Sequence, residues 1–321
     1  MTAHDSAIHS ESVAAGGLLA AAGVACFSFS FPATVWALQG FGPWAVTGLR
    51  GVLAAALAGA CLAIGRVPLP RRADWPGLLV VAAGCVVGFP LLSTLALRTA
   101  STAHSAVVTG LLPLATAAFG ALRGGTRPGR AFWLAALAGA AVVAAFTLQQ
   151  DSGRPGPADL CLLGALVLCA AGYAEGGRLA RNLPGWQVIA WAVVAAFPVT
   201  ALTCALALPA EPVRWTLPGV AGLAYLAAVS QFGGFFVWYR GLAALGVPRA
   251  SQLQLAQPLL TLAWSVLILG ERLPPAAPVA AAGVIACIAV TQRTQGRGAG
   301  GGPGPLARSG GLTRLGRPSG R

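Results

Sequence analysis

The chain has 321 residues, 56% of them hydrophobic and 9% charged, with a formal net charge of +13. A soluble domain carries about a quarter charged residues, so this composition excludes a soluble globular protein. Every basic residue is arginine, and the lack of lysine excludes both a Walker A loop, whose lysine sits on the phosphates, and a Schiff-base lysine.

Residues 1–13 carry acids but no arginine and so lack the basic n-region of a secretory signal. The first apolar stretch is therefore expected to remain as a helix behind a short cytoplasmic N-terminus. A bilayer core about 30 Å thick needs roughly 20 apolar residues at about 1.5 Å each. Candidate spans follow in order at 14–37, 44–64, 76–97, 102–122, 131–148, 160–179, 187–208, 217–239, 249–269 and 275–291. Breaks fall where Gly, Pro and Arg cluster, as in GRVPLPRRADWP (65–76) and RGGTRPGR (123–130). Trp36, Trp44, Trp75, Trp186 and Trp215 stand near span ends, as in an aromatic belt. The seven cysteines lie inside spans, form no CxxC, and read as small packing residues.

Arginine orients the array. Segments 65–75 and 123–130 hold three arginines each, 178–181 holds two, and 292–321 holds six. In the intervening connections Asp151, Glu211 and Glu271 balance Arg154, Arg214 and Arg272. The positive-inside rule then places both termini in the cytoplasm of a cell (inner) membrane. The tail 292–321 is rich in Gly, Pro and Arg without an acid, and is predicted to be disordered. Anionic inner-leaflet lipid would attract it, at about 1 kcal/mol per arginine. No nucleic-acid partner is expected, because most other arginines lie between spans.

Two apolar stretches share an unusual content. VTGLLPLATAAF (108–119) and LQLAQPLLTLAW (253–264) agree at Pro113/Pro258, Leu114/Leu259, Thr116/Thr261 and Ala118/Ala263, at one constant offset. They are the fourth and ninth spans. With an odd number of spans in each half, the copies must insert upside down relative to each other, an inverted-topology repeat.

Gln254, Gln257, Thr261 and Ser265 recur on one helical face, and Ser105, Thr109 and Thr116 occupy the matching face with Pro113 beside them. Proline removes a backbone donor and obstructs the carbonyl four residues back. Freed carbonyls in mid-span are tolerated only against protein or water. The pattern points to a wet, solute-sized cavity lined by Thr109, Pro113, Thr116, Gln254, Gln257, Pro258 and Thr261. The competing reading is simple interhelical hydrogen bonding, at about 0.6 kcal/mol each.

Glu175, in CAAGYAEGGRLAR (169–181), is the only carboxylate well inside a span. It is read either as a proton-coupling residue or as half of an ion pair with Arg178, one turn on. Arg50 has no carboxylate near it in sequence, so its partner is a backbone carbonyl, a headgroup or another helix, with an anionic solute the less favoured choice. Arg98 is expected to snorkel to a span end. Phe232, Phe235, Phe236 and Tyr239 form an aromatic face that reads as packing or lipid contact. His104 has no second histidine nearby, and no metal site is expected.

The chain also resembles a known family. Residues 76–128, with ALRTAS and GLLPL at 96–114, are similar to the first EamA repeat of the drug/metabolite transporter superfamily. Residues 220–290, with WYRGLAALG (238–246), AQPLLTLAWSVLILGERL (256–273) and Gly283, are similar to the second. FSFSFPATVWAL (27–38) and GPWAVTGLRGVLAA (42–55) resemble the family's first two helices, so the likeness runs from 14 to 291. Its most specific block is QP followed by LGER. In the first half RGGTRP puts Thr126 where the family usually has an acid. The resemblance implies a ten-helix exporter of metabolites or drugs with a central cavity between inverted halves.

The sequence thus reads as an all-α polytopic membrane protein of about ten transmembrane helices in two inverted five-helix repeats. The first EamA-like repeat covers 14–148, an external linker 149–159, and the second repeat 160–291. The expected function is secondary active export of a small organic solute by alternating access, as a monomer or homodimer, without cofactor. An enzyme acting on a lipid-linked substrate is the first alternative, although eight acids and three histidines are scattered and converge on no catalytic group. A non-transporting receptor or subunit is the second.

Overall fold

Apolar runs bounded by Gly and Pro fold into helices, in chain order α1 (Ala15–Ala37), α2 (Pro43–Ile64), α3 (Arg72–Ala96), α4 (Thr102–Arg123), α5 (Trp133–Gln149), α6 (Pro157–Leu179), α7 (Gly185–Ala210), α8 (Leu217–Trp238), α9 (Ala256–Leu267) and α10 (Ala276–Val290). The structure is a computed structural model that describes residues 3–124, 129–150, 156–245, 253–254 and 256–299. Among the described residues all regular structure is helical. Seven of these segments are long and apolar enough to cross a membrane, and the apolar parts of α5, α9 and α10 are shorter. The helices carrying α5 and α10 are longer than those parts, at Arg130–Gln150 and Ala276–Ala299. The expectations placed on Thr126, on Asp151 and Arg154, and on residues 300–321 lie outside the described residues.

Two helices run beyond the apolar spans that the sequence marks. The helix containing α1 begins at Ala3, inside the segment read as a short cytoplasmic N-terminus, and no Pro or Gly interrupts it before Gly16. The helix containing α10 continues past 292 to Ala299.

Chain breakers act where helix chemistry permits. Pro43 and Pro157 open α2 and α6, where a missing N–H costs no intrahelical bond. Ser101 and Thr216 cap α4 and α8, their hydroxyls accepting from His104 N and Gly219 N at 3.1 Å each. The outer flanks expose Leu18, Leu134, Leu137, Leu160 and Leu202, whereas Ser28, Thr34, Arg50, Gln231 and Ser265 are buried. Apolar outside and polar inside is the arrangement that lipid demands.

The helices are not uniform. α3 winds as a π-helix over Ala82–Gly88 and α8 does so over Leu226–Gly233, the third helix of each half. α4 is interrupted by a turn at 110–111. Packing pairs correspond when the halves are exchanged. α1 packs on α8 as α6 packs on α3, α1 packs on α9 as α6 packs on α4, while α2 packs on its own counterpart α7 and α5 on its own counterpart α10. Close approach of α2 to α7 depends on Gly48, where a Cβ would lie 2.6 Å from Cys204 N.

The two ends of the bundle differ in chemistry. At one end carboxylates cap helix N-termini, whose N–H groups lack intrahelical partners. Glu211, after α7, accepts from Ala45 N at 2.8 Å, and Glu271 accepts from Thr102 N at 3.0 Å and Ala103 N at 3.2 Å. Asp159 accepts from Gly156 N at 2.8 Å and meets His104 Nε2 at 2.7 Å. Gly270 adopts φ +66°, a left-handed turn that glycine makes without steric cost, just before Glu271. The opposite end carries Arg66, Arg71, Arg72, Arg123, Arg178 and Arg181.

Candidate functional site

Between the halves lies a cavity of about 360 Å³, within the range of about 300–1,000 Å³ common for small-molecule sites. Seven helices contribute lining side chains, with a minor contribution from α10. Thr109, Pro113, Thr116, Gln254, Gln257, Pro258 and Thr261, singled out from the sequence, all line this one cavity.

Their local geometry follows from the prolines. Pro113 cannot donate to the carbonyl of Thr109, and the turn before it tightens, with Gly110 N donating to Val107 O at 3.2 Å and Leu111 N to Val108 O at 3.3 Å. Thr109 Oγ1 donates back to Ser105 O at 2.7 Å. Thr116 Oγ1 is buried without a hydrogen-bond partner. On α9, Thr261 Oγ1 bridges α9 to α1 through Ser28 O at 2.9 Å. Trp264 Nε1 donates to Ser28 Oγ at 2.9 Å, a second tie between α9 and α1. Ser105 and Ser265, members of the same sequence stripes, are fully buried and bond to backbone carbonyls of their own helices.

The cavity has a further polar group that the repeated stripes did not mark. Ser30 Oγ and Ser230 Oγ lie 2.8 Å apart, Arg50 Nη2 reaches Ser230 Oγ at 3.4 Å, and Gln231 Nε2 reaches Cys85 O at 3.4 Å. Arg50 Nε and Gln231 Oε1 are buried without partners. Ser230 and Gln231 face inward from the π-helical part of α8, and Cys85 from that of α3. Such bulges recur at functional sites because they re-aim side chains. No composition or spacing signal announces them, since both segments read as ordinary apolar helix. The aromatic face of α8 divides: Phe235 lines the cavity, Phe232 is buried in the core, and Phe236 packs against Trp186. Phe27, Phe31, Phe89 and Tyr173 add aromatic wall from α1, α3 and α6.

Glu175 is absent from the cavity lining. Its carboxylate is 3% exposed and held by Arg178 Nη2 at 2.6 Å and Arg123 Nε at 3.1 Å, tying the end of α4 to α6. Gly77 of α3 lies against the same pair, a Cβ there meeting Glu175 Oε1 at 2.7 Å. His104 is likewise away from the cavity, paired with Asp159. Among the described residues no group of three His, Cys, Asp or Glu gathers to hold a metal.

Comparison with known proteins places this architecture. Residues 14–148 and 156–292 each match the EamA-like transporter family. An uncharacterized transporter, YdeK of Bacillus subtilis (strain 168), is 45% identical over 274 residues, covering 84% of this chain and 94% of that protein. A protein of known crystal structure shares the fold with TM-score 0.61 at 23% identity, covering 86% of this chain and 97% of the other.

Proposed function

Because the chain belongs to the EamA-like transporter family, we propose that its central cavity is the solute site of a secondary exporter working by alternating access. The carrying observation is that the repeated Pro/Thr stripes on α4 and α9, one from each half, meet in a single cavity. Thr109, Thr116, Gln254 and Gln257 would hydrogen-bond a small organic solute, and Pro113 and Pro258 would leave backbone carbonyls free for water or solute. The exchange symmetry of the packing pairs and the matched π-helical segments support an inverted ten-helix reading. Arginine excess puts the end holding Arg66, Arg71 and Arg123 in the cytoplasm with both termini, and makes the carboxylate-capped end external.

Glu175 takes a structural place in this scheme. Two guanidiniums occupy its carboxylate, so we assign it to fastening α4 against α6 at the cytoplasmic end.

Flux in proteoliposomes tests the function. Preloaded vesicles holding the purified protein should exchange at least one solute from a panel of organic acids, amines and nucleosides saturably, and Gln257→Leu should lower that flux at least about tenfold, a loss of about 1.4 kcal/mol, with thermal stability unchanged. Solute exchange equal to that of empty vesicles across the panel would remove the transport reading.

A further inference from the structure

Arg50 is 6% exposed, in the interior of α2. Among the described residues it is the one charged side chain lining the cavity, and no carboxylate pairs with it. A guanidinium offers five N–H donors in a planar fork. The bond it makes, to Ser230 Oγ, is long at 3.4 Å, and Nε has no partner. Withdrawing a cation from water costs several kcal/mol unless it is paired, and one long contact to a hydroxyl does not offset that. If Arg50 served only to join α2 to α8, a neutral amide would do so at lower cost.

The remaining surroundings say what would complete it. The donors that Arg50 leaves free match the two oxygens of a carboxylate in a bidentate pair. Ser30 and Ser230, a hydroxyl pair beside it, can rotate to donate to the same anion. With a single cation at hand, a dianionic phosphate would bring a second, uncompensated charge into the cavity. Phe27, Phe31, Phe89 and Phe235 form the adjoining wall, suited to an apolar or aromatic body. We propose that Arg50 is an anion-binding residue and that the solute is an organic monocarboxylate with an apolar or aromatic body, an inference that rests on the cavity being the transport site.

The test uses matched probes on the purified full-length protein. Phenylacetate, 3-phenylpropionate, 4-phenylbutyrate and indole-3-acetate are each compared with the corresponding carboxamide, and phenyl phosphate is added as a dianion. Binding is read by ligand-induced shift of the unfolding temperature. At least one acid should bind about tenfold or more tighter than its amide, which is about 1.4 kcal/mol, and tighter than phenyl phosphate. Arg50→Gln should erase the preference while the empty protein unfolds at the wild-type temperature or above it, since an unpaired buried charge has been removed. Arg50→Lys should retain part of the preference, and serves in place of Arg50→Gln if the latter does not fold.

Amides bound as tightly as acids by the wild type throughout the panel would overturn the assignment, as would a preference surviving in Arg50→Gln or phenyl phosphate binding best. In those cases flux that depends on Gln257 would still uphold the transport reading. Acid-selective binding that depends on Arg50, found without any flux, would uphold the anion site and overturn transport.

Discussion

At Glu175 the two cationic partners differ in exposure: the Arg123 side chain is 67% exposed, the Arg178 side chain 40%, and the carboxylate between them 3%. Breaking a fully buried ion pair costs about 3–5 kcal/mol, largely through the charge left stranded. Here the arginines can turn to water, and exposed pairs are worth under about 1 kcal/mol. Glu175→Gln is therefore expected to cost about 1–2 kcal/mol, seen as a drop of a few degrees in unfolding temperature. Solute exchange, and any accumulation that a pH gradient drives in the wild type, should persist in this variant. Loss of uphill transport with downhill exchange spared would instead restore Glu175 as the coupling residue. Residue-level legibility was uneven for a physical reason. Gln254 and Gln257 stand out because a bare amide is costly in an apolar run, and both line the cavity. Ser30 and Ser230 do not, because a lone hydroxyl in a membrane helix ordinarily bonds its own backbone, as Thr34 does to Ser30 O at 2.8 Å. Gln231 carries an amide as conspicuous as that of Gln257 but has no partner in the first half at the constant offset, so the repeat leaves it unmarked.

At the level of elements, α4 is two helical pieces, Thr102–Thr109 and Leu112–Gly124, separated by the turn before Pro113. Proline inside a helix costs about 3 kcal/mol in an otherwise regular setting. Pro113→Ala returns a donor to the backbone and is expected to straighten this join. The unfolding temperature should rise by several degrees while exchange flux falls, because the Thr109 carbonyl would be taken up by the helix. A variant with both wild-type flux and wild-type stability would show that the interruption does not depend on proline. The sequence made this break visible through proline, whose chemistry is local. The π-helical segments of α3 and α8 were invisible, because one additional residue in a turn leaves an apolar pattern almost unchanged. Span ends were legible to within a few residues where Pro and Gly act, as at Pro43 and Pro157. At the first and last spans the apolar parts, Ala15–Ala37 and Ala276–Val290, fall where the sequence puts them, while the helices that carry them extend to Ala3 and Ala299.

For the whole molecule, the proposed orientation makes the caps of Glu211 and Glu271 external and the Arg71 connection cytoplasmic. In a cysteine-free background, Arg71→Cys and Trp215→Cys should react with an impermeant thiol reagent from opposite faces of sealed vesicles. Labelling of both from one face would contradict the inverted arrangement. The carboxylate-capped end is fastened at several points, by Glu211 on α2, Glu271 on α4 and Asp159 with His104, and nearer the cavity α9 is tied to α1 through Thr261 and Trp264. Under the proposed alternating access, contacts at this end must open for solute to pass there, since the same cavity must communicate with each side in turn. The most direct measurement cross-links α1 to α9 in that cysteine-free background. Ser28→Cys and Thr261→Cys would be joined by a short cleavable thiol reagent, where Thr261 Oγ1 now meets Ser28 O at 2.9 Å. The account predicts that solute exchange stops in the cross-linked protein and returns on cleavage. Exchange continuing at the uncross-linked rate with α1 and α9 joined would contradict it.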